Sequence, residues 1–121
     1  MKSILFIVTT LLLSNCILAS NLEGTRWLVH NGDVTVEFRK SEEKYQAVAI
    51  EVSPDFEKAS PGDTIVRNIQ FHQESGTLED GSIRMGALSA NFSGILENDT
   101  LLNVTIQKLF ITKQYKWKRI F

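Results

Sequence analysis

The side chains that could do chemistry are few and scattered. His30 and His72 are the two histidines. The first borders the Asn31-Gly32 pair, and the second ends an alternating run on its polar side. Neither has a second His or a Cys at i+2 or i+4, so a zinc or copper site would have to gather distant carboxylates. Fourteen Asp and Glu are present, nearly all in turn-like stretches or on polar faces, where a carboxylate stays solvated. General acid–base catalysis needs such a group in a cleft that shifts its pKa. Glu51, inside an alternating run, is the least conventional, and an outward position accounts for it. Ser89 and Ser93 stand in no Gly-x-Ser-x-Gly elbow, and the seven glycines are dispersed rather than gathered into a phosphate-cradling loop. The expectation is a protein that is not an enzyme, with no catalytic residues, metal or cofactor.

The first residues speak to compartment. Lys2 precedes an apolar run over residues 4–13, broken only by Thr9 and Thr10, and small or polar residues follow at Ser14, Asn15, Ala19 and Ser20. A charged start, a short apolar core and a small-residue exit describe a secretory signal peptide. The run is shorter than the roughly 17–25 residues a membrane span requires. Cleavage after Ala19 would divide the chain into a signal peptide, 1–19, and one mature domain, 20–121. The alternative is Leu13-Ser14-Asn15-Cys16, which resembles a bacterial lipobox and would anchor the chain through lipid on Cys16. Cys16 is the single cysteine, so a domain cut after Ala19 has none and holds no disulfide in a compartment that permits them. That points to a bacterial source and a periplasmic or extracellular destination. Loss of Lys2 takes the net charge from −1 to −2, which leaves no electrostatic footprint for nucleic acid.

Beyond residue 20 the apolar pattern repeats every two residues. Val34, Val36 and Phe38 alternate with Thr35, Glu37 and Arg39. Val48, Ile50 and Val52 alternate with Ala47, Ala49 and Glu51. Ile65, Ile69 and Phe71 share a side opposite Asn68, Gln70 and His72. Leu102, Val104 and Ile106, then Tyr115, Trp117 and Phe121, continue the pattern. These are strands with one face in a core. Reversals fall at Asn31-Gly32, Ser41-Glu42-Glu43, Glu74-Ser75-Gly76, Asp80-Gly81 and Glu97-Asn98-Asp99. About eight short strands joined by short connections hide their edges most simply by closing on themselves. The predicted fold is all-β: a single up-and-down antiparallel barrel after the signal peptide. Segment 53–63 holds both prolines, Pro54 and Pro61. It reads either as a surface loop or as a helical turn capped by Ser53 that overhangs one mouth. Lys113, Lys116, Lys118 and Arg119 make the last strand basic, as lysines that block edge-to-edge pairing do.

Two aromatic signatures frame this pattern: G-T-R-W at Gly24–Trp27 and W-K-R at Trp117–Arg119. Between them stand Phe92-x-Gly94-x-Leu96 and Asn98-Asp99-Thr100-Leu101-Leu102. The arrangement resembles the calycin group of lipocalin-like barrels, and most closely an uncharacterised bacterial family of small exported proteins that open on G-x-W and end on W-x-R. The opening G-x-x-W here is one residue longer. The resemblance implies a fold and a compartment but no activity. It also implies that Trp27 closes one end of the barrel and that Arg119 lies across its ring, a structural latch between first and last strands.

An eight-stranded barrel is just wide enough to be filled by side chains or to hold one small ligand. The interior is expected to include Leu88, Leu96, Leu102 and Ile106. Its bulkier members, Phe38, Phe71, Phe92, Tyr115 and Trp117, are the candidate ligand-binding residues. Two functions follow as expectations for a monomer. One is binding of a small apolar or amphipathic ligand in one mouth. The alternative is a filled barrel acting as an envelope-associated protein-interaction or inhibitor module. Three Asn-x-Ser/Thr sequons, at Asn91, Asn98 and Asn103, are read as chance in a Ser/Thr-rich β-protein.

Overall fold

The computed structural model describes residues 22–121; the expected signal peptide, its cleavage site and Cys16 lie outside them. Eight antiparallel strands follow one another around a closed barrel: β1 (Arg26–Val29), β2 (Val34–Ser41), β3 (Lys44–Val52), β4 (Thr64–His72), β5 (Thr77–Met85), β6 (Leu88–Asn98), β7 (Leu101–Lys108) and β8 (Ile111–Arg119). Each strand pairs with its sequence neighbours, and β1 pairs with β8 through Trp27↔Arg119 and Leu28↔Lys118. Past the end of β8, Arg26 N–H donates to the Phe121 carbonyl at 3.3 Å and Ile120 N–H to the Arg26 carbonyl at 2.8 Å. The alternating up-and-down barrel read from the sequence is the fold observed.

Alternation establishes that a strand has two faces; its neighbours decide which one turns inward. In β3 Ala47 and Ala49 face inward, opposite Phe38 and Val36 of β2, and past the register shift at Thr35/Val36 the inward side passes to Val52, opposite the buried Val34. Phe38 is wholly buried, and its ring leaves room across the ladder for a methyl group and little more.

A second departure lies between β4 and β5. Asp80-Gly81, expected to be a reversal, is inside β5, where the register shifts between Leu78 and Gly81. Asp80 takes φ +60 and, in β4, Asn68 takes φ +62. These are left-handed residues of the kind that Asn and Asp tolerate best. They break strict alternation in both strands, so that Val66 as well as Ile65 and Ile69 is buried in β4, an arrangement typical of β-bulges. Gly81 serves a different need: a Cβ there would sit 2.8 Å from the Phe92 ring.

The connections at one end of the barrel carry the features that matter below. Between β1 and β2 a 3-10 turn, His30–Gly32, has its three residues at positive φ. The 53–63 segment forms turns and no helix; Phe56 N–H donates to the Ser53 carbonyl at 3.0 Å, where the capped helical turn was one of two expectations. Ala59 is buried and Phe56 packs against the core. The segment reaches across to the β5–β6 turn, where a Cβ on Gly86 would meet Lys58 at 3.2 Å. It therefore overhangs the mouth.

Candidate functional site

The barrel axis is occupied by rings. Trp27 meets Phe38 edge-on with centroids 6.3 Å apart, Phe38 meets Trp117 at 6.3 Å, and Phe92 meets Trp117 at 5.4 Å. All four are essentially buried. Phe38, Phe92 and Trp117, expected in the interior, are brought together here as a packed plug. The plug is anchored through Trp27, whose indole N–H donates to Thr25 Oγ1 at 2.8 Å, while that hydroxyl donates to the Leu22 carbonyl at 2.6 Å. Among the described residues no buried side-chain nitrogen or oxygen is left without a partner.

Arg119 is Trp27's cross-strand partner. Its guanidinium is directed to backbone carbonyls, with Nε donating to Phe121 at 3.1 Å and an Nη to Asp99 at 3.4 Å. The cation–ring contact at this seam is made instead by Arg26, 5.3 Å from the Phe121 centroid.

Above the plug, under the 53–63 overhang, the filling stops. A cavity of about 220 Å³ opens there between the β5–β8 wall and the overhang. Trp117, Val104 and Ile106 line it from β7 and β8, Ile83, Met85, Ala87 and Leu88 from β5, β6 and their turn, and Val29, His30 and Lys58 from the β1 side and the overhang. Tyr115 completes the lining; it stands opposite Val104 in the ladder yet remains half exposed. His30 is held at the rim by the Phe56 ring, 4.8 Å away, and by Asp33, whose Oδ2 lies 3.5 Å from its Nδ1.

The five candidate ligand-binding residues are thus distributed among three places. Tyr115 and Trp117 line the mouth, and Phe38 and Phe92 sit in the plug below. Phe71 is at the opposite end, edge-on to Tyr45 at 5.7 Å. Among the aliphatic lining residues, Val104 read from sequence only as part of an alternating strand face, and Ile83 and Met85 were not singled out. Lys58 was also unread, although the glycine it touches is the trace of that approach.

The mouth offers an apolar floor and wall with one ammonium and one imidazole at the edge. That arrangement can bind and orient, and it supplies no nucleophile paired with a base. Among the described residues no three His, Cys, Asp or Glu side chains gather as a metal would require, and no helix is long and apolar enough to cross a membrane. Glu37 is the one carboxylate whose pKa is displaced: N–H donors from Arg39, then Arg26, hold it below its ordinary value of 4.5. It lies on the outer side of β2, remote from the mouth. Compared with family models, curated proteins and solved structures, the chain matches none.

Proposed function

We propose that this is an exported, lipocalin-like carrier that holds a small amphipathic ligand in the mouth under the 53–63 overhang. The observation that carries the reading is the 220 Å³ apolar cavity bounded below by Trp117 and edged by Lys58 and His30. Its volume is under the roughly 300–1,000 Å³ of drug-sized sites, so the ligand is a short acyl chain or a single ring. The Lys58 ammonium favours an anionic head at the rim, where a pair remains partly hydrated and adds about 0.2–1 kcal/mol. Burial of the apolar part provides most of the affinity, at about 25 cal/mol per Å² removed from water. The cysteine-free mature domain and the leader-like first nineteen residues support export.

The test is titration with octanoate and, separately, octanol, read by the fluorescence of Trp117 in the cavity floor. Saturable binding of both, tighter for octanoate, is expected. Ile106→Phe, which fills the cavity, should abolish both signals, and Lys58→Gln should remove only the preference for the acid. No saturable change with either probe, or binding untouched by Ile106→Phe, would overturn the reading.

A further inference from the structure

The β7–β8 turn is built from residues a turn does not select. Lys108 pairs with Ile111, leaving Leu109 and Phe110 as its two central residues. Leu109 takes φ +55, a left-handed conformation that a leucine adopts only at a cost and that Asn or Gly would take freely. Both side chains stand in solvent, Leu109 at 83% and Phe110 fully exposed, and Ile111 beside them is 63% exposed. Single exposed apolar residues need no explanation. Three in a row at a projecting tip, one of them in strained backbone, do call for one.

The charge around the tip indicates what covers it. Residues 81–96 and 101–121 contain no Asp or Glu. Lys108 adjoins the tip, Lys113 lies two residues beyond Ile111, and Arg84 reaches solvent near the same end of β5. The carboxylates of this end, Asp33, Glu51, Asp55, Glu57 and Asp63, belong to β1–β4 and their connections, of which the 53–63 segment reaches the β5–β6 turn at Lys58. The tip is thus an apolar wedge with cations at its base and no carboxylate in β7, β8 or the turn between them. A stable protein partner would need about 800 Å² from each side, far more than three side chains present. A wedge this narrow suits a medium that yields around it: apolar side chains reach the acyl boundary while lysine ammoniums remain at the phosphate level.

We infer that the β7–β8 tip docks the barrel on an anionic bilayer surface, Leu109, Phe110 and Ile111 entering the headgroup boundary and Lys108 and Lys113 meeting lipid phosphates. The mouth lies at the same end of the barrel and is brought toward the lipid by this contact. The inference stands on the tip alone and does not require the ligand reading.

All eight strands, the core and the β1–β8 seam lie within residues 22–121, so the chain is tested from residue 20, without the apolar run 4–13. Co-sedimentation is measured with vesicles of phosphatidylcholine alone and of phosphatidylcholine with phosphatidylglycerol. Binding is expected to the second and not the first, and to fall as salt is raised. Phe110→Ser with Leu109→Ser should weaken binding by about tenfold or more, and Lys108→Gln or Lys113→Gln by about fivefold each. An unchanged thermal melt of the tip variants shows that the barrel is intact. Equal binding to both vesicles, no binding to either, or binding indifferent to the tip substitutions would overturn the proposal. So would a tip-dependent self-association without lipid binding, which would make the tip a protein contact.

Discussion

The Trp27 indole N–H donates to the Thr25 hydroxyl, and the same hydroxyl donates to the Leu22 carbonyl, so one buried side chain satisfies a ring and a backbone group together. Thr25→Val keeps the shape and deletes both bonds, leaving the indole nitrogen unpaired in a dry core. A loss of about 1–3 kcal/mol is expected in urea unfolding, and Thr25→Ser should recover most of it. Equal stability of the valine variant would mean that the indole finds another acceptor.

Trp27 and Arg119 face one another across the seam, but their substitutions should differ sharply. Trp27→Ala removes a wholly buried ring that packs on Phe38, for a loss of about 3–5 kcal/mol. Arg119→Ala removes exposed bonds to two backbone carbonyls and should cost about 0.5–1.5 kcal/mol. Comparable losses at the two positions would instead indicate that the guanidinium holds the ring.

Much of the architecture was legible because alternation is a property of the chain alone. β2, β7 and β8 show it plainly, and a meander of this many strands has few ways other than closure to protect its edges. What escaped the reading depends on partners. Ala47 and Ala49 face inward opposite Phe38 and Val36, a fact of register and volume that the composition of β3 does not contain. Asp80-Gly81 reads as a turn because the same left-handed preference serves a turn and a bulge alike. The β7–β8 reversal was invisible for the opposite reason, since Leu109 and Phe110 carry no turn chemistry. Of the mouth, its aromatic floor could be anticipated from Tyr115 and Trp117; its overhanging lysine could not, since only the folded 53–63 segment brings it there.

Gly81 and Phe92 are paired across β5 and β6, and a methyl on Gly81 would lie 2.8 Å from the ring. Gly81→Ala should therefore overpack the plug and cost about 1–3 kcal/mol. Phe92→Leu removes ring atoms and costs stability by leaving a void. The double variant should lose less than the two separately, with a coupling of about 0.5–3 kcal/mol. Additive losses would show that the strain is relieved elsewhere.

Glu37 accepts from Arg39 Nε at 2.9 Å and Arg26 Nε at 3.1 Å, and its carboxyl is held below 4.5 in the folded chain. The unfolded chain therefore takes up this proton first as the pH falls. The stabilisation is present in full above 4.5 and is lost as the pH drops through the lower folded value. Both arginines are substantially exposed, so each pair contributes about 0.2–1 kcal/mol, less in high salt. Glu37→Gln should flatten this part of the acid limb in pH-dependent unfolding. An unaltered limb would assign the acid sensitivity to other carboxylates.

Leu109 places fold and function in opposition. Its φ of +55 costs a β-carbon-bearing residue about 1–2 kcal/mol, and its exposed side chain returns little packing. Leu109→Gly removes that strain and adds unfolded-state freedom of about 0.5–1 kcal/mol, so the barrel should be unchanged or more stable by up to about 1 kcal/mol in thermal unfolding. If the tip is kept apolar for docking, the same variant should sediment less with anionic vesicles. Relief of strain together with weakened lipid binding would mean that the leucine is retained for what it touches outside the barrel. A clear loss of stability would mean that Leu109 serves the fold, and the strained turn would then be no evidence for a docking tip.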